Sequence, residues 1–251
     1  MSDEERTLID DEDFWLQHTH NHILYSAALS VFRRNLTSSS YVLELCEDAL
    51  RKSLRIVFRD DEVIIKRCLE ILLHDPSRKG EVILAVVKKL HLNKWEFFVE
   101  ICKYYPLTNK ELAQVLRYTW INSNIPEKMH QQAERLFHLI SKEEIMTDKE
   151  CGFFNELPQM VTIYRGCSYD EPDYNNNKYH PSWSLEYKTA EDFAFHLDKY
   201  YDNDRRCVVR AVVPKSQILC FFDNSLKEVV VFGVTKSDAE IIKTYSSFSD
   251  G

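Results

Sequence analysis

The chain has 251 residues, of which 44% are hydrophobic and 29% are charged, enough for one large globular domain or two modest ones. Its net charge of −8 disfavours non-specific binding to nucleic acid or to an anionic membrane surface. Only five glycines occur and they are not clustered, so neither a GxGxxG loop nor a P-loop can be assembled. A nucleotide site in this chain would therefore have to use side chains.

The first residues and the cysteine pattern indicate a cytoplasmic protein. The opening sequence, MSDEERTLIDDEDF, is acidic and lacks the basic and then apolar profile of a signal peptide. No apolar run is long enough to span a membrane, so a membrane partner is not expected. The seven cysteines are scattered singly without a CxxC pair, as is typical of reduced thiols.

Residues from about 10 to 150 have the pattern of successive helices. Apolar residues recur three and four positions apart, and Thr108 and Glu111 have the spacing of a capping box at the start of a helix. Turn-forming residues divide this region into about six helices. The residues expected to face the core are Cys46, Leu50, Leu54, Val57, Ile83, Val86, Val87, Leu90, Ala133, Leu136, Phe137 and Ile140.

The residue pattern changes near residue 150, which sets the predicted boundary between a helical region, 1–150, and a second domain, 151–251. Short runs of β-branched and aromatic residues follow, bounded by Pro, Asn and Asp, as is typical of strands. The predicted class is α+β, with an all-helical amino-terminal region before a small mixed or antiparallel sheet. The predicted strands are Val161–Tyr164, Cys207–Val213, Ile218–Phe222 and Glu228–Phe232.

Three other parts of the second domain have distinct patterns. A helix is predicted from Thr189 to Leu197, where apolar residues return to helical spacing. The polar, Asn-rich segment from Asp170 to Lys178 is predicted to be a loop. The final dozen residues are expected to be a frayed tail.

Three segments of the second domain occur in an order that suggests a catalytic site. The segment TIYRG ends a predicted strand near Arg165, PSWS contains Ser182, and DNSLKEVVV begins a strand at Glu228. This series resembles the arginine–serine–glutamate class of the ADP-ribosyltransferase superfamily. The compact bacterial and phage-type domains are the most similar, with a YRG strand before an SWT or STS motif and an A..FA helix. The resemblance covers roughly residues 160–232.

The resemblance implies a mono-ADP-ribosyltransferase-like domain that uses NAD as its substrate and needs no metal. Breaking the nicotinamide–ribose bond develops positive charge on the ribose, and Glu228 would stabilise that charge. Arg165 would offer charge-assisted donors to the NAD diphosphate, and Ser182 would orient Glu228 or contact the ribose. Further NAD-binding residues are expected at Tyr164, Gly166, Trp183 and Ser184, with Tyr164, Trp183 or Tyr179 supplying a flat wall for a base.

Each of these residues also has a purely structural explanation. Arg165 could be an ion-pair partner on the surface at a strand end, and Glu228 a solvated residue at a sheet edge. Ser182 and Ser184 could cap or turn the chain before the next helix, and Trp183 could belong to the core. The functional hypothesis depends on the three segments occurring together in this order.

The residue two positions before Glu228 departs from the family pattern and leaves the acceptor of ADP-ribose open. Members that modify arginine carry a second glutamate at that position, other acceptor classes carry glutamine, and this chain has Leu226. Three hypotheses follow: a transferase with an unknown acceptor, an NAD glycohydrolase, and a catalytically inactive interaction module. The helical region would recruit a protein acceptor or partner.

The segment HTHNH brings three histidines together, which raises the possibility of a metal site. On a helix only His18 and His22 share a face, His20 is turned away, and no acidic partner of the HExxH type is nearby. The pattern favours a solvated helix face, and no metal site is predicted.

Overall fold

The structure is a computed structural model that describes residues 50–59, 61–90, 93–104, 107–174, 176–196 and 205–244. The chain forms two compact units, Met1–Ile125 and Pro126–Gly251. The predicted α+β class is confirmed, because helices precede an antiparallel sheet of six strands along the chain. The division falls ahead of residue 150, so the helices between residues 126 and 156 group with the sheet.

The described part of the first unit is helical. A helical segment covers residues 50–58, and a 3₁₀ turn at Pro76–Arg78 joins the first two complete helices. Thr108 and Glu111 form the predicted capping box, and Glu111 also accepts a hydrogen bond from the Gly80 amide at 2.9 Å. The complete helices are α1 (Glu62–His74), α2 (Lys79–Lys89), α3 (Lys94–Tyr104) and α4 (Asn109–Ile121).

The residues predicted to face the core of this unit are buried. Leu50, Leu54 and Val57 are at most 3% exposed, and the same holds for all four members of the stripe from Ile83 to Leu90. Cys46 and the HTHNH segment lie outside the described residues. None of the helices within the described ranges is long and apolar enough to cross a membrane.

The second unit begins with helices and continues into the sheet. A 3₁₀ turn, Glu127–Met129, leads into α5, and Ser141 and Thr147 begin α6 and α7 with capping boxes. The four residues from Ala133 to Ile140 that were predicted to face the core are buried. The helices are α5 (His130–Leu139), α6 (Lys142–Ile145), α7 (Asp148–Glu156), α8 (Glu171–Tyr174) and α9 (Tyr187–Phe195).

All strand pairs in the sheet are antiparallel, and the strand order is β4-β5-β2-β1-β3-β6. Tyr164 lies opposite Ser184, and Ser184 lies opposite Glu228. Because directly opposed residues project from the same face, these three form a row across β1, β2 and β5. The strands are β1 (Met160–Ser168), β2 (Ser182–Ser184), β3 (Arg206–Pro214), β4 (Cys220–Phe222), β5 (Glu228–Val230) and β6 (Ala239–Thr244).

The α9 helix packs closely against β1 at Gly166. A Cβ atom at this glycine would overlap the carbonyl oxygen of Ala190 and would lie 2.6 Å from the backbone nitrogen of Ala194. Both alanines are buried, and with Val208 they form a small apolar cluster. The absence of a side chain at Gly166 therefore allows the helix backbone to approach the sheet.

Two expectations for the second unit were wrong. The segment from Asp170 to Lys178 is not entirely loop, because residues Glu171–Tyr174 form the one-turn helix α8. The expected frayed tail is wrong for residues 240–244, which belong to β6 and pair with β3. The outer edge of β3 has backbone donors and acceptors that need partners, and this short strand supplies them. Residues 245–251 lie outside the described part.

Candidate functional site

Ser182 and Glu228 contact each other directly on neighbouring strands. The Ser182 hydroxyl donates a hydrogen bond of 2.5 Å to Oε1 of Glu228, a length typical of a charge-assisted bond to a carboxylate. Ser182 is two residues from Ser184, which lies opposite Glu228, so both side chains project from the same face of the sheet. Glu228 is only 6% exposed, unlike a solvated edge residue.

Asn224 holds the second carboxylate oxygen of Glu228. Its Nδ2 donates to Oε2 of Glu228 at 3.1 Å, while its Oδ1 accepts a hydrogen bond from the Leu226 amide at 3.0 Å. The residue before Glu228, Lys227, has a φ of 46°, which turns the chain sharply into β5. Sequence reasoning missed Asn224, although an Asp-Asn-Ser turn four residues before a candidate glutamate was visible.

Arg165 forms a two-pronged ion pair with Glu171, a residue that sequence reasoning placed in a plain polar loop. Its Nε lies 2.8 Å from Oε1 of Glu171, and its Nη2 lies 3.0 Å from Oε2. The two side chains are 17% and 14% exposed, so this is an interior ion pair and not the surface pair of the structural explanation. The carboxylate also accepts the His180 amide at 2.8 Å, which ties the segment between β1 and β2 to Arg165.

Arg165 reaches the Ser182–Glu228 pair through the backbone of β2. Its Nη1 donates to the Ser182 carbonyl oxygen at 2.7 Å, so three of its five N–H donors are engaged within the protein. Successive side chains of a strand project from opposite faces, so Arg165 and Tyr164 lie on opposite faces of β1. The structure therefore brings the three predicted residues together as neighbours but links Arg165 to the main chain and not to the carboxylate.

Burial and charge act against each other at the Arg165–Glu171 pair. Burial by itself would lower the pKa of Arg165, but the charge and hydrogen bonds of Glu171 outweigh it and leave the pKa raised. Burial would likewise raise the pKa of Glu171, but Arg165 and the His180 amide hold it below its usual range. Both groups are therefore charged at neutral pH.

Two histidines pack against this ion pair. The rings of His130 and His180 meet edge to face with centroids 4.4 Å apart. Burial, reinforced by His180 and Arg165, lowers the pKa of His130 to about 4, and burial also lowers the pKa of His180. Within the part of the chain that the structure describes, the buried Nε2 of His130 has no hydrogen-bond partner. Both imidazoles are therefore neutral at neutral pH.

The aromatic residues predicted to form a wall for a base lie in different surroundings. Trp183 and Tyr179 are 2% and 5% exposed and pack edge to face at 5.6 Å, which is the core arrangement of the structural explanation. Tyr164 is half-buried, meets Tyr187 edge to face at 5.8 Å, and lies in the row that contains Glu228. Of these three rings, only Tyr164 shares a row of side chains with Glu228.

Ser184 has the contacts of a turn-forming residue. Its hydroxyl donates to the Leu226 carbonyl at 2.6 Å and accepts a hydrogen bond from the Glu186 amide at 3.0 Å. These bonds hold the turn before β5 and the start of α9. Ser184 therefore stabilises the turn that precedes Glu228, and Gly166 lies against the backbone of α9.

Within the ranges that the structure describes, no three His, Cys, Asp or Glu side chains converge in a way that could hold a metal ion. Comparisons of the chain with protein-family models, with curated proteins and with solved structures found no match. A function must therefore be inferred from the contacts of the site itself.

Proposed function

We propose that the sheet-containing unit breaks the nicotinamide–ribose bond of NAD as a mono-ADP-ribosyltransferase-like enzyme. The observation that carries this proposal is the 2.5 Å hydrogen bond between Ser182 and Glu228, which joins two segments of the predicted series. A carboxylate fixed before substrate arrives can stabilise positive charge on the ribose without reorganising during the reaction. An oxocarbenium-like sugar is the kind of transition state that such a carboxylate serves.

The proposed roles follow the contacts. Glu228 faces the ribose, and Ser182 orients its carboxylate. Tyr164, in the same row of side chains, offers an aromatic surface for the nicotinamide or adenine ring. Arg165 anchors the main chain at Ser182, and its assignment to the NAD diphosphate stays a prediction that would depend on its remaining N–H groups.

A second candidate function, hydrolysis of NAD, is favoured by Leu226. This residue stands where transferases of the resembled class carry an acceptor-activating group, and its side chain can neither accept nor donate a proton. Its amide and carbonyl are both engaged, with Asn224 and Ser184. Water would then be the acceptor. A protein acceptor or partner bound by the helical region, and a cytoplasmic location, also stay predictions.

The decisive experiment is incubation of the purified chain with NAD labelled in the adenylate, with and without a cell lysate. We expect nicotinamide release that falls about a hundredfold or more in Glu228→Gln, a loss typical of removing a preorganised charge. The matched control is Glu240→Gln, at an exposed glutamate of β6, which should cleave NAD like the wild type.

The fate of the label separates the candidate functions. Label transferred to protein selects a transferase, and nicotinamide release with free ADP-ribose selects a hydrolase. Wild-type protein that neither binds nor cleaves NAD would overturn both and leave an interaction module. Equal cleavage by wild type and Glu228→Gln would remove Glu228 from its proposed role.

A further inference from the structure

We infer that Asn224 is a positioning residue for the Glu228 carboxylate, a role that rests on the function proposed above. Ser182 on β2 holds Oε1 at 2.5 Å, and Asn224 in the turn before β5 holds Oε2 at 3.1 Å. The two oxygens are thus bound by donors from two different segments of the chain.

The orientation of the Asn224 amide is determined by its two partners. The Leu226 N–H can only donate, so the atom 3.0 Å from it has to be Oδ1. An ionised carboxylate can only accept, so the atom facing Glu228 has to be Nδ2. One orientation of the amide satisfies both contacts, and the reversed orientation would satisfy neither.

The turn that carries Asn224 is held at both ends. The amide of Asp223 donates to Glu150 at 2.7 Å, and the Asp223 carboxylate is paired with Lys149 and Lys227. The carbonyl oxygen of Asn224 accepts from the Lys227 amide at 3.2 Å. The side-chain amide of Asn224 therefore contacts Glu228 from a turn whose backbone is held in place by these bonds.

This arrangement has a consequence for the carboxylate plane. The last torsion of a glutamate side chain is broad, so one hydrogen bond on one oxygen leaves the carboxylate free to rotate. A second donor on the other oxygen fixes the plane of the carboxylate. Correct orientation of a reacting group contributes much of the rate enhancement in reactions that depend on alignment. The Asn224 side chain is thus directed at Glu228 and not at the molecule that would receive ADP-ribose. This agrees with the apolar residue, Leu226, at the position where transferases of the resembled class activate that molecule.

The test is Asn224→Asp, which keeps the Oδ1 acceptor for Leu226 but replaces the donor with a carboxylate oxygen facing Glu228. Two ionised carboxylates about 3 Å apart repel, whereas a protonated carboxyl can donate as the amide did. We expect NAD cleavage to fall about tenfold or more in kcat at pH 8, with KM little changed, and to recover towards pH 5. Wild type and the exposed-turn control Asn176→Asp should show no such recovery.

A readout without NAD separates failure of this role from failure of the proposed function. Urea unfolding is measured at pH 5 and pH 8 for wild type, Asn224→Asp, Glu228→Gln and the double variant. We expect the urea midpoint of Asn224→Asp to drop more at pH 8 than at pH 5, and this difference to disappear when Glu228 is replaced.

Two results would overturn the positioning role and leave Asn224 as a turn residue. One is a fall in the urea midpoint that is independent of pH and the same with or without Glu228, and the other is an unchanged pH profile of NAD cleavage. Coupling to Glu228 without any NAD cleavage in the wild type would overturn the enzyme proposal and, with it, a catalytic purpose for the contact. Coupling together with the pH-dependent recovery of kcat supports both.

Discussion

Arg165 and Glu171 are joined by two parallel hydrogen bonds, Nε to Oε1 at 2.8 Å and Nη2 to Oε2 at 3.0 Å, within the interior of the sheet-containing unit. Sequence reasoning predicted that the arginine would bind an anion, and in the structure the anion is a carboxylate of the same chain. Because Nε and Nη2 of Arg165 are both bound to Glu171, the first role of this guanidinium is to hold the segment between β1 and β2.

Removal of one partner should leave an unpaired charge in the interior. We expect Glu171→Gln to lower the free energy of unfolding by about 3 kcal/mol, because Arg165 stays buried without its counter-charge. The measurement is urea unfolding of the purified chain at neutral pH. The matched control is Asp173→Asn, which breaks the exposed pair with Lys236 and should cost less than about 1 kcal/mol. Equal losses in the two variants would show that the Arg165–Glu171 pair is solvated.

Two serines of β2 should separate into one that affects turnover and one that affects stability. Ser182→Ala removes the donor to Glu228, and we expect NAD cleavage to drop about tenfold to a hundredfold with little change in unfolding. Ser184→Ala removes the bonds to Leu226 and Glu186, and we expect a loss of about 1 kcal/mol in the free energy of unfolding. Nicotinamide release and urea melts on both variants check the division. If Ser184→Ala reduced NAD cleavage and Ser182→Ala reduced stability, the proposed roles of the two serines would be wrong.

Two glycines allow a test of close packing in the same unit. At Gly166 a Cβ would meet backbone atoms of α9, so Gly166→Ala should cost about 3 kcal/mol or prevent folding. At Gly152, inside α7, a Cβ would have no neighbour within 4 Å. Gly152→Ala should therefore stabilise the unit by about 0.5 kcal/mol or more, since alanine favours the helix. Thermal unfolding measures both, and a tolerated Gly166→Ala would mean that α9 can move away from β1.

The elements that could be predicted are those whose signal is local. The capping box of Thr108 and Glu111, the β-branched run of β3 and the apolar stripes of the helices depend on neighbours along the chain. The order of the segments around Arg165, Ser182 and Glu228 was also readable, and the structure brings the three residues close together.

The residues that were missed depend on how the chain turns, even though their partners are close in sequence. Glu171 lies six residues after Arg165, and Asn224 lies four residues before Glu228, but only the conformation of the segment between them brings each pair into contact. The β6 strand was missed because it falls largely within the last dozen residues, which were expected to fray as chain ends commonly do. Its pairing with β3 is a long-range contact, and a local sequence pattern does not specify such contacts.

The His130–His180 pair makes stability depend on pH in a definite direction. The pKa of His130 is lowered to about 4 in the folded protein by burial, by His180 and by Arg165, while an unfolded chain has a histidine pKa near 6.5. Between these values the unfolded state binds a proton that the folded state does not, so the free energy of unfolding falls as the pH is lowered. The lowered pKa of His180 acts in the same direction.

We expect this loss to begin near pH 6.5 and, for His130, to reach about 2 kcal/mol near pH 4, after allowance for its partial exposure. The measurement is urea unfolding at intervals from pH 7.5 to pH 4.5, and comparison with His130→Asn separates the histidine effect from that of the carboxylates, which begin to titrate near pH 5. His130→Asn should flatten the slope in this window, whereas His138→Asn, at an exposed position of the same helix, should leave it unchanged. An NMR titration that placed the His130 ring near pH 6.5 in the folded protein would contradict the burial of this imidazole against Arg165.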